Sequence, residues 1–367
     1  MRTVPENVNA CATVKLKTGE ALVIREVEPP LGPYAGSVGC WWDAVEPDLL
    51  AGALAPWLHC PYYIGEIDGS VAGYMTCLTS VRNPEVGLVE FVSTGNKHRR
   101  KGVGTVLLRQ LIEGFEAKGG LALYLCTTNP VAGQLYEKCG FDYSIGDGMR
   151  YLSATAGEFD ARYLSREGDA IAREADWGDL PGATVLFCHP LPSWEIKEYL
   201  SHCFRDTRFE GHYVKLMRRV EEDRGVIMVL ENRRKRVVGC AIIERLPTFQ
   251  QQHVGQLSFR VAPEYNDQTT ELLDAAGARA HGIGISMLQT YVSDKDADAG
   301  RILEEAGFKR EAVLPGRLRT GGGLTGVAVY GRNLGDTGPW RPLEDYYGER
   351  KPWQEQRICG MEKSGTS

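Results

Sequence analysis

The sequence predicts the α/β fold class, as two mixed-sheet domains in tandem. Three observations predict it. Strand-like and helix-like stretches alternate through the first half of the 367 residues, a polar stretch then breaks the pattern, and a similar order of elements starts again behind it. The domains are expected at residues 1–156 and 169–334, joined by a linker at 157–168 and followed by a tail at 335–367 rich in Pro, Trp, Tyr and charge. A chain of this length can bury two cores of ordinary size.

ATVKLK and ALVIREV flank the turn TGE with β-branched residues at alternating positions, which predicts two strands. Tyr34 to Val45 and Asp48 to Leu58 carry Trp41, Trp42, Leu49, Leu50 and Trp57 and are expected to be helices. YYIGEID and VAGYMTCLTSV flank Asp68-Gly69, a dipeptide suited to a hairpin turn, and GLVEFVST follows as a further strand. Gly104 to Ala117 spaces Val106, Leu107, Leu111 and Phe115 as a helix does. LALYLCTT reads as a strand, Asn129 to Cys139 as a helix ended by Gly140, and FDYSI and MRYLSAT as closing strands.

In the second half AIAREADWGDLPG reads as a strand and the start of a helix, and SWEIKEYLSHCF as a helix. GVIMVLE and VVGCAIIERL are strands around the basic turn Asn232 to Arg236, which is expected to be solvated. QLSFRVAP and ISMLQTYVS read as strands, and Thr270 to His281 and Ala299 to Ala306 as helices. Gly307-Phe308 then repeats Gly140-Phe141. Gly321 to Gly323, ahead of the strand-like VAVYG, reads as a flexible hairpin.

A formal net charge of -6 argues against a general nucleic-acid binder and leaves room for a cationic substrate. No stretch approaches the roughly 18–20 apolar residues of a membrane span, and the N-terminus lacks the apolar core of a signal peptide. A cytoplasmic protein without a membrane partner is expected. Ten scattered cysteines without a CxxC pair read as reduced, packed thiols. Cys188-His189 and His202-Cys203 superficially resemble a zinc set, but adjacent ligands point apart, so no metal is expected.

The most informative stretch runs from Glu90 to Thr105, where a strand leads into Arg99-x-x-Gly102-x-Gly104 and a helix begins at once. Glycines there permit backbone conformations closed to other residues. Several amide groups can then converge on an anion at the positive end of the helix. Arg99, Arg100 and Lys101 add full charges, and a pyrophosphate fits. A short glycine pattern alone reads equally as a turn with surface cations. The Walker and dinucleotide glycine patterns are absent.

Context narrows this. VSTGNKHRRKGVGTVLL, followed in order by NPVAGQLYEKCGF, resembles the GCN5-related N-acetyltransferase (GNAT) superfamily over roughly residues 12–155. The resemblance implies acetyl-CoA as co-substrate, without a metal. It puts the pyrophosphate on Arg99, Arg100, Lys101, Gly102, Val103, Gly104 and Thr105, and the pantetheine arm along Val92 and Thr94. Asn129 and Tyr136 are the matching residues of the later helix. Asn96 stands where the family often has Pro, a departure that touches loop rigidity rather than chemistry.

The activity so implied is acetyl transfer to a primary amine of a small molecule. The resemblance makes Tyr136 the acid that protonates the coenzyme A sulfur; the plainer alternative is a core aromatic. Glu90 alternates with Val92 and Thr94 and is the candidate base, directly or through water, unless it is paired elsewhere. His98 has a suitable intrinsic pKa but reads as loop support. Cys126 could carry an acyl group, yet reads more simply as a small buried hydrophobe.

In the second half, Asn266 to Glu271 stands where the phosphate loop would be, with no glycine, no basic residue, and Asp267 and Glu271 to repel a pyrophosphate. Leu303 stands where Tyr136 does. A catalytically silent copy is expected, with one coenzyme A per chain. Two alternatives stay open: a protein or peptide amine as acceptor, and a coenzyme A-binding regulatory or scaffold protein without turnover. The residues that choose the acceptor are expected around Tyr34 to Trp57.

Overall fold

The computed structural model describes residues 10–188, 196, 198–199, 202–203, 209–320 and 323–337. The first half forms β1 (Ala10–Lys15), β2 (Ala21–Val27), α1 (Glu46–Leu50), β3 (Leu58–His59), β4 (Tyr62–Ile67) and β5 (Ser70–Ser80). It continues through β6 (Val86–Thr94), α2 (Val103–Ala117), β7 (Ala122–Cys126), α3 (Pro130–Glu137), β8 (Phe141–Ile145) and β9 (Gly148–Leu152). The second half opens with α4 (Phe159–Tyr163), β10 (Ile171–Glu174), α5 (Leu180–Cys188), β11 (Glu198–Tyr199), β12 (His202–Cys203) and α6 (Phe209–Glu221). Then come β13 (Gly225–Glu231), β14 (Val237–Arg245), β15 (Val254–Val261) and α7 (Thr269–Gly282). It closes with β16 (Met287–Ser293), α8 (Ala297–Glu305), β17 (Lys309–Thr320) and β18 (Gly323–Asn333).

Two mixed sheets result. The first runs β1-β2-β4-β5-β6-β7-β9-β8, with β3 beside β5; the second runs β10-β13-β14-β15-β16-β18-β17. From β2 and from β10 onward the two orders are the same, strand for strand. Each sheet is antiparallel except at one place. There β6 runs parallel to β7, and β15 to β16, because a helix crosses over between them.

The helix expected at Tyr34 to Val45 does not form. Gly36 and Gly39 raise its entropic cost. Trp41 and Trp42 both set a ring edge on Phe91, at centroid distances of 5.4 and 4.9 Å, whereas neighbours on a helix point about 100° apart. Asp48 to Leu58 is helical only to Leu50. The chain then turns at Gly52 (φ +79°), where a Cβ would lie 2.9 Å from the Pro29 carbonyl oxygen. In place of the helix expected over SWEIKEYLSHCF, the described residues Glu198–Tyr199 and His202–Cys203 pair antiparallel. His189, Gly321, Gly322 and the tail from 338 lie outside the described residues.

What joins the halves is α5. All nine of its residues, LPGATVLFC, are buried, so it has no polar face to give to water. It packs against β5 and β6 of the first sheet and β14 and β15 of the second. Leu88, Phe91 and Tyr124 from one side and Phe187, Phe209 and Tyr213 from the other belong to one continuous core. Each such side chain contributes roughly 1.5–3 kcal/mol on burial.

Polar contacts at this seam are specific. The Arg236 side chain, 2% exposed, donates from Nε and Nη2 to Glu85 at 2.6 and 2.9 Å and from Nη1 to the Arg162 carbonyl at 2.8 Å. Its guanidinium also lies over the Tyr163 ring. The basic turn is therefore not wholly solvated, as had been expected: its last arginine is buried against the other half. Burial alone would raise the Glu85 carboxyl, but the hydrogen bonds and charge of Arg236 outweigh it and hold it below its ordinary value. Arg82 reaches across similarly to Asp176 (2.9 Å) and Asp179 (2.7 Å).

Among the described residues seven cysteines are free, and no helix is long and apolar enough to cross a membrane. Arg236→Met should lower the unfolding free energy by about 3–5 kcal/mol in urea denaturation, because it strands the Glu85 carboxylate. Pairing it with Glu85→Leu should recover much of that loss. A single variant as stable as the parent would show that the seam rests on the apolar contacts alone.

Candidate active site

Parallel pairing of β6 with β7 covers only Val86–Leu88 against Ala122–Tyr124. Beyond those residues the two strands part. At the same level β6 carries a bulge: Thr76 of β5 faces Glu90 and Tyr74 faces Ser93, so two steps on β5 match three on β6. Phe91 takes the extra position at φ +54°, a conformation unusual for a bulky residue and held here by burial against Trp41, Trp42 and Tyr62. The bulge leaves one peptide of β6 outside the ladder beside the gap.

Glu90, Val92 and Thr94 lie on the parted segment of β6, each half-buried. The strand then passes through a single 3-10 turn, Asn96–His98, into the basic loop. Arg100 (φ +62°) and Gly102 (φ +93°) are both left-handed, and α2 begins at Val103 with Gly102 as its N-cap. Successive amides of such a turn, together with the helix N-terminus, form an anion-binding concavity. Arg99 and Arg100 are exposed; Arg99 Nε donates to the Thr94 carbonyl at 3.3 Å, and Lys101 pairs with Glu20 at 2.6 Å.

The two glycines do different work. Gly102 supplies a backbone conformation, with open space where its Cβ would be. Gly104 supplies room: a Cβ there would lie 2.9 Å from Leu135 of α3. Thr105 sits half-buried in the first turn of α2. His98 is buried, and neither ring nitrogen has a hydrogen-bond partner in the structure.

Asn129 caps α3 by accepting from the Val131 N–H at 3.0 Å, which accounts for its side-chain oxygen structurally. Tyr136, 5% exposed, leans on Phe141 from the same helix-strand unit. Burial first, then the charges of Glu90 and Cys126, push its phenol well above the ordinary tyrosine value. Tyr136, Glu90 and Cys126 are thus electrostatic neighbours across the gap between the strands.

The second half closes that gap from outside. Cys126 Sγ donates to Glu210 Oε1 at 3.6 Å, and Glu210 opens α6. Cys126 is therefore a half-buried donor rather than a packed hydrophobe. Glu90, Glu210, Thr184 and Cys188 line one small cavity of about 10 Å³, the scale of a single water. Helix α6 was not anticipated from sequence, although Phe209, Tyr213, Val214, Leu216 and Met217 are buried on it at helical spacing. That periodicity was the available signal. What it faces was not available. Burial first, with the carboxylates Glu46, Glu90 and Asp43 behind it, pushes the Cys40 thiol up to about 12.

In the second sheet β15 and β16 also part after three parallel pairs, but the bulge and the loop differ. Register between β14 and β15 is continuous, without a bulge. A 3-10 helix, Pro263–Gln268, runs straight into α7. The chain joining the halves lies on it: Arg166 donates to Asp267 (2.6 Å) and to the Glu264 carbonyl, and Gln268 pairs with both backbone groups of Ala170 at 2.9 Å. Leu303 is fully buried.

Residues 36–141 match the family described as Acetyltransferase (GNAT) family. A phosphinothricin acetyltransferase from Sinorhizobium meliloti, solved in complex with AcCoA, is similar at 16% identity over 50% of this chain and 98% of its own, with a TM-score of 0.39. An N-acetyltransferase from Staphylococcus aureus Mu50 matches at 16% identity over 46% of this chain and all of its own, also with a TM-score of 0.39. The yncA protein of Salmonella typhimurium, solved with its cofactor acetyl-CoA, matches at 16% identity over 48% of this chain and 99% of its own, with a TM-score of 0.39. No curated protein matches the sequence. Residues 36–141 are thus the part of this chain that is similar to the GNAT acetyltransferase family.

Proposed function

We propose that the protein is a cytoplasmic N-acetyltransferase that moves the acetyl group of acetyl-CoA to a primary amine of a small molecule, with its whole catalytic site in the first half. The observation that carries this reading is continuity: the gap between β6 and β7 leads without interruption into the left-handed basic loop at the N-terminus of α2. The residues fit the cofactor. Arg99, Arg100, Lys101 and the amides from Gly102 to Thr105 hold the pyrophosphate, and Val92 and Thr94 pair with the pantetheine arm.

Glu90 takes the proton of the ammonium group, directly or through a water, and so supplies a neutral amine. The amine nitrogen attacks the thioester carbon while the free β6 peptide beside the bulge stabilises the carbonyl oxygen. As the carbon–sulfur bond breaks, Tyr136 gives its proton to the departing thiolate, and the newly bonded nitrogen loses its extra proton to the tyrosinate through water, leaving a neutral amide and a free thiol. A phenol held above its ordinary pKa is protonated at neutral pH, as an acid must be. Holding donor and acceptor together supplies much of the rate.

The second half is read as a degenerate copy of the same fold, silent because its loop is acidic and grips Arg166 instead of a phosphate. The domain limits are then 1–156 and 169–334 around a linker at 157–168.

Tyr136→Phe should reduce turnover in a thiol-release assay by roughly 10- to 10,000-fold while calorimetric affinity for acetyl-CoA stays within about twofold. Undiminished turnover would make Tyr136 a packing residue. The rate should rise with pH as the amine deprotonates and should not fall near the ordinary tyrosine value of 10.0, because burial and Glu90 keep Tyr136 protonated there. Arg99→Glu with Arg100→Glu, both exposed, should weaken acetyl-CoA by at least about tenfold, the loss of one charge-assisted hydrogen bond. Titration should reach one coenzyme A per chain; two would overturn the silent second half.

A further inference from the structure

A groove of about 540 Å³ separates Trp41, Trp42 and Asp43 on one side from Gly211, His212 and Lys215 of α6 on the other. That volume lies within the roughly 300–1,000 Å³ usual for small-molecule sites. It borders the parted segment of β6 through Phe91, and on α6 it begins one residue from Glu210. Trp41 and Trp42 touch Phe91, the neighbour of Glu90, and the first turn of α6 carries Glu210, which accepts from Cys126 on β7. Its width is held by Arg218, which donates to the Ala44 carbonyl at 2.8 Å, pairs with Asp48, and lies over the Trp177 ring.

Charge is divided along this groove. Asp43 stands on the near wall and Lys215 is exposed on the far wall, while Glu90 and Glu210 line the separate small cavity described above. His212, beside Lys215, is turned toward Glu244 at 3.8 Å. Lys215 lies five positions beyond Glu210 on α6, about 7.5 Å farther along the helix axis and about 140° around it, so Glu210 faces the interior and Lys215 the solvent. Between the charged ends the wall is indole, with Trp41 54% exposed.

We propose that this groove is the acceptor site and that the acceptor is an extended zwitterion. Its amine lies at Glu90 and Glu210, an apolar body lies against Trp41 and Trp42, and an anionic group reaches Lys215. The spacing of the charges suits a molecule such as an ω-amino acid rather than a free α-amino acid, whose two groups sit too close together. The second half, silent in its own loop, thereby supplies half of the acceptor site. This rests on the transferase reading above.

Gly211 provides a clean test, since a Cβ there would meet nothing within 4 Å and a larger side chain would project into the groove without displacing protein. Gly211→Phe should raise the KM for amine acceptors by at least about tenfold with unchanged acetyl-CoA affinity and unchanged melting temperature. Lys215→Glu should cut the preference for ω-amino acids over their primary amides by about tenfold or more, as loss of one charged contact predicts. If the unaltered protein releases no thiol with any amine, the transferase reading falls. If it does, but Gly211→Phe keeps the parent KM, the groove is not the acceptor site. If only Lys215→Glu leaves the acid-to-amide preference unmoved, the acceptor has no anionic end there.

Discussion

A helix that is apolar on every side cannot lie on a surface, and α5 lies between two sheets. Its burial on both faces obliges the halves to share one core, so their relative position follows from hydrophobic contact rather than from the connecting chain. The ion pairs at the seam add direction to that contact. Arg236 on Glu85 and Arg82 on Asp176 and Asp179 each satisfy a guanidinium that would otherwise be costly to bury, which selects one docking geometry among many apolar ones.

Fixing the halves in this way has a consequence at the active site. The first half parts β6 from β7 by a bulge and by the end of parallel pairing, and a gap of that kind is open on its outer side. Here α6 covers part of it, bringing Glu210 to Cys126 and leaving a groove toward the Trp41–Trp42 loop.

The loop of the second sheet shows how a ligand site can be exchanged for an internal one. Where the first half presents Arg99, Arg100 and Lys101 around a left-handed turn, the second presents Glu264 and Asp267 on a 3-10 helix. Arg166 donates to the Asp267 carboxylate and to the Glu264 carbonyl, and Ala170 pairs with Gln268. A cation from the chain is held there, at the place where the first half carries basic residues instead. The acidic loop is thereby satisfied, and it ties the connection down.

Local features were legible in the sequence because their cause is local. The strands, α2, α3, the basic glycine loop and the absence of that loop in the second half all follow from periodicity, glycine placement and charge sign within short windows. Glu90 could be singled out by its alternation with Val92 and Thr94, and Tyr136 only through the family resemblance of the helix that carries it. Long-range contact decided the rest. Tyr34 to Val45 gave up a helix because Trp41 and Trp42 both anchor on a bulge residue fifty positions away. Arg236 left the solvent because Glu85 was waiting in the other half, and Gly104 proved to be space for Leu135. Which helix would face the acetyltransfer gap, and with which charges, depended on how two sheets pack around α5. No window of sequence contains that packing, because the residues that meet there are distant in the chain and are joined only by the shared need to leave water.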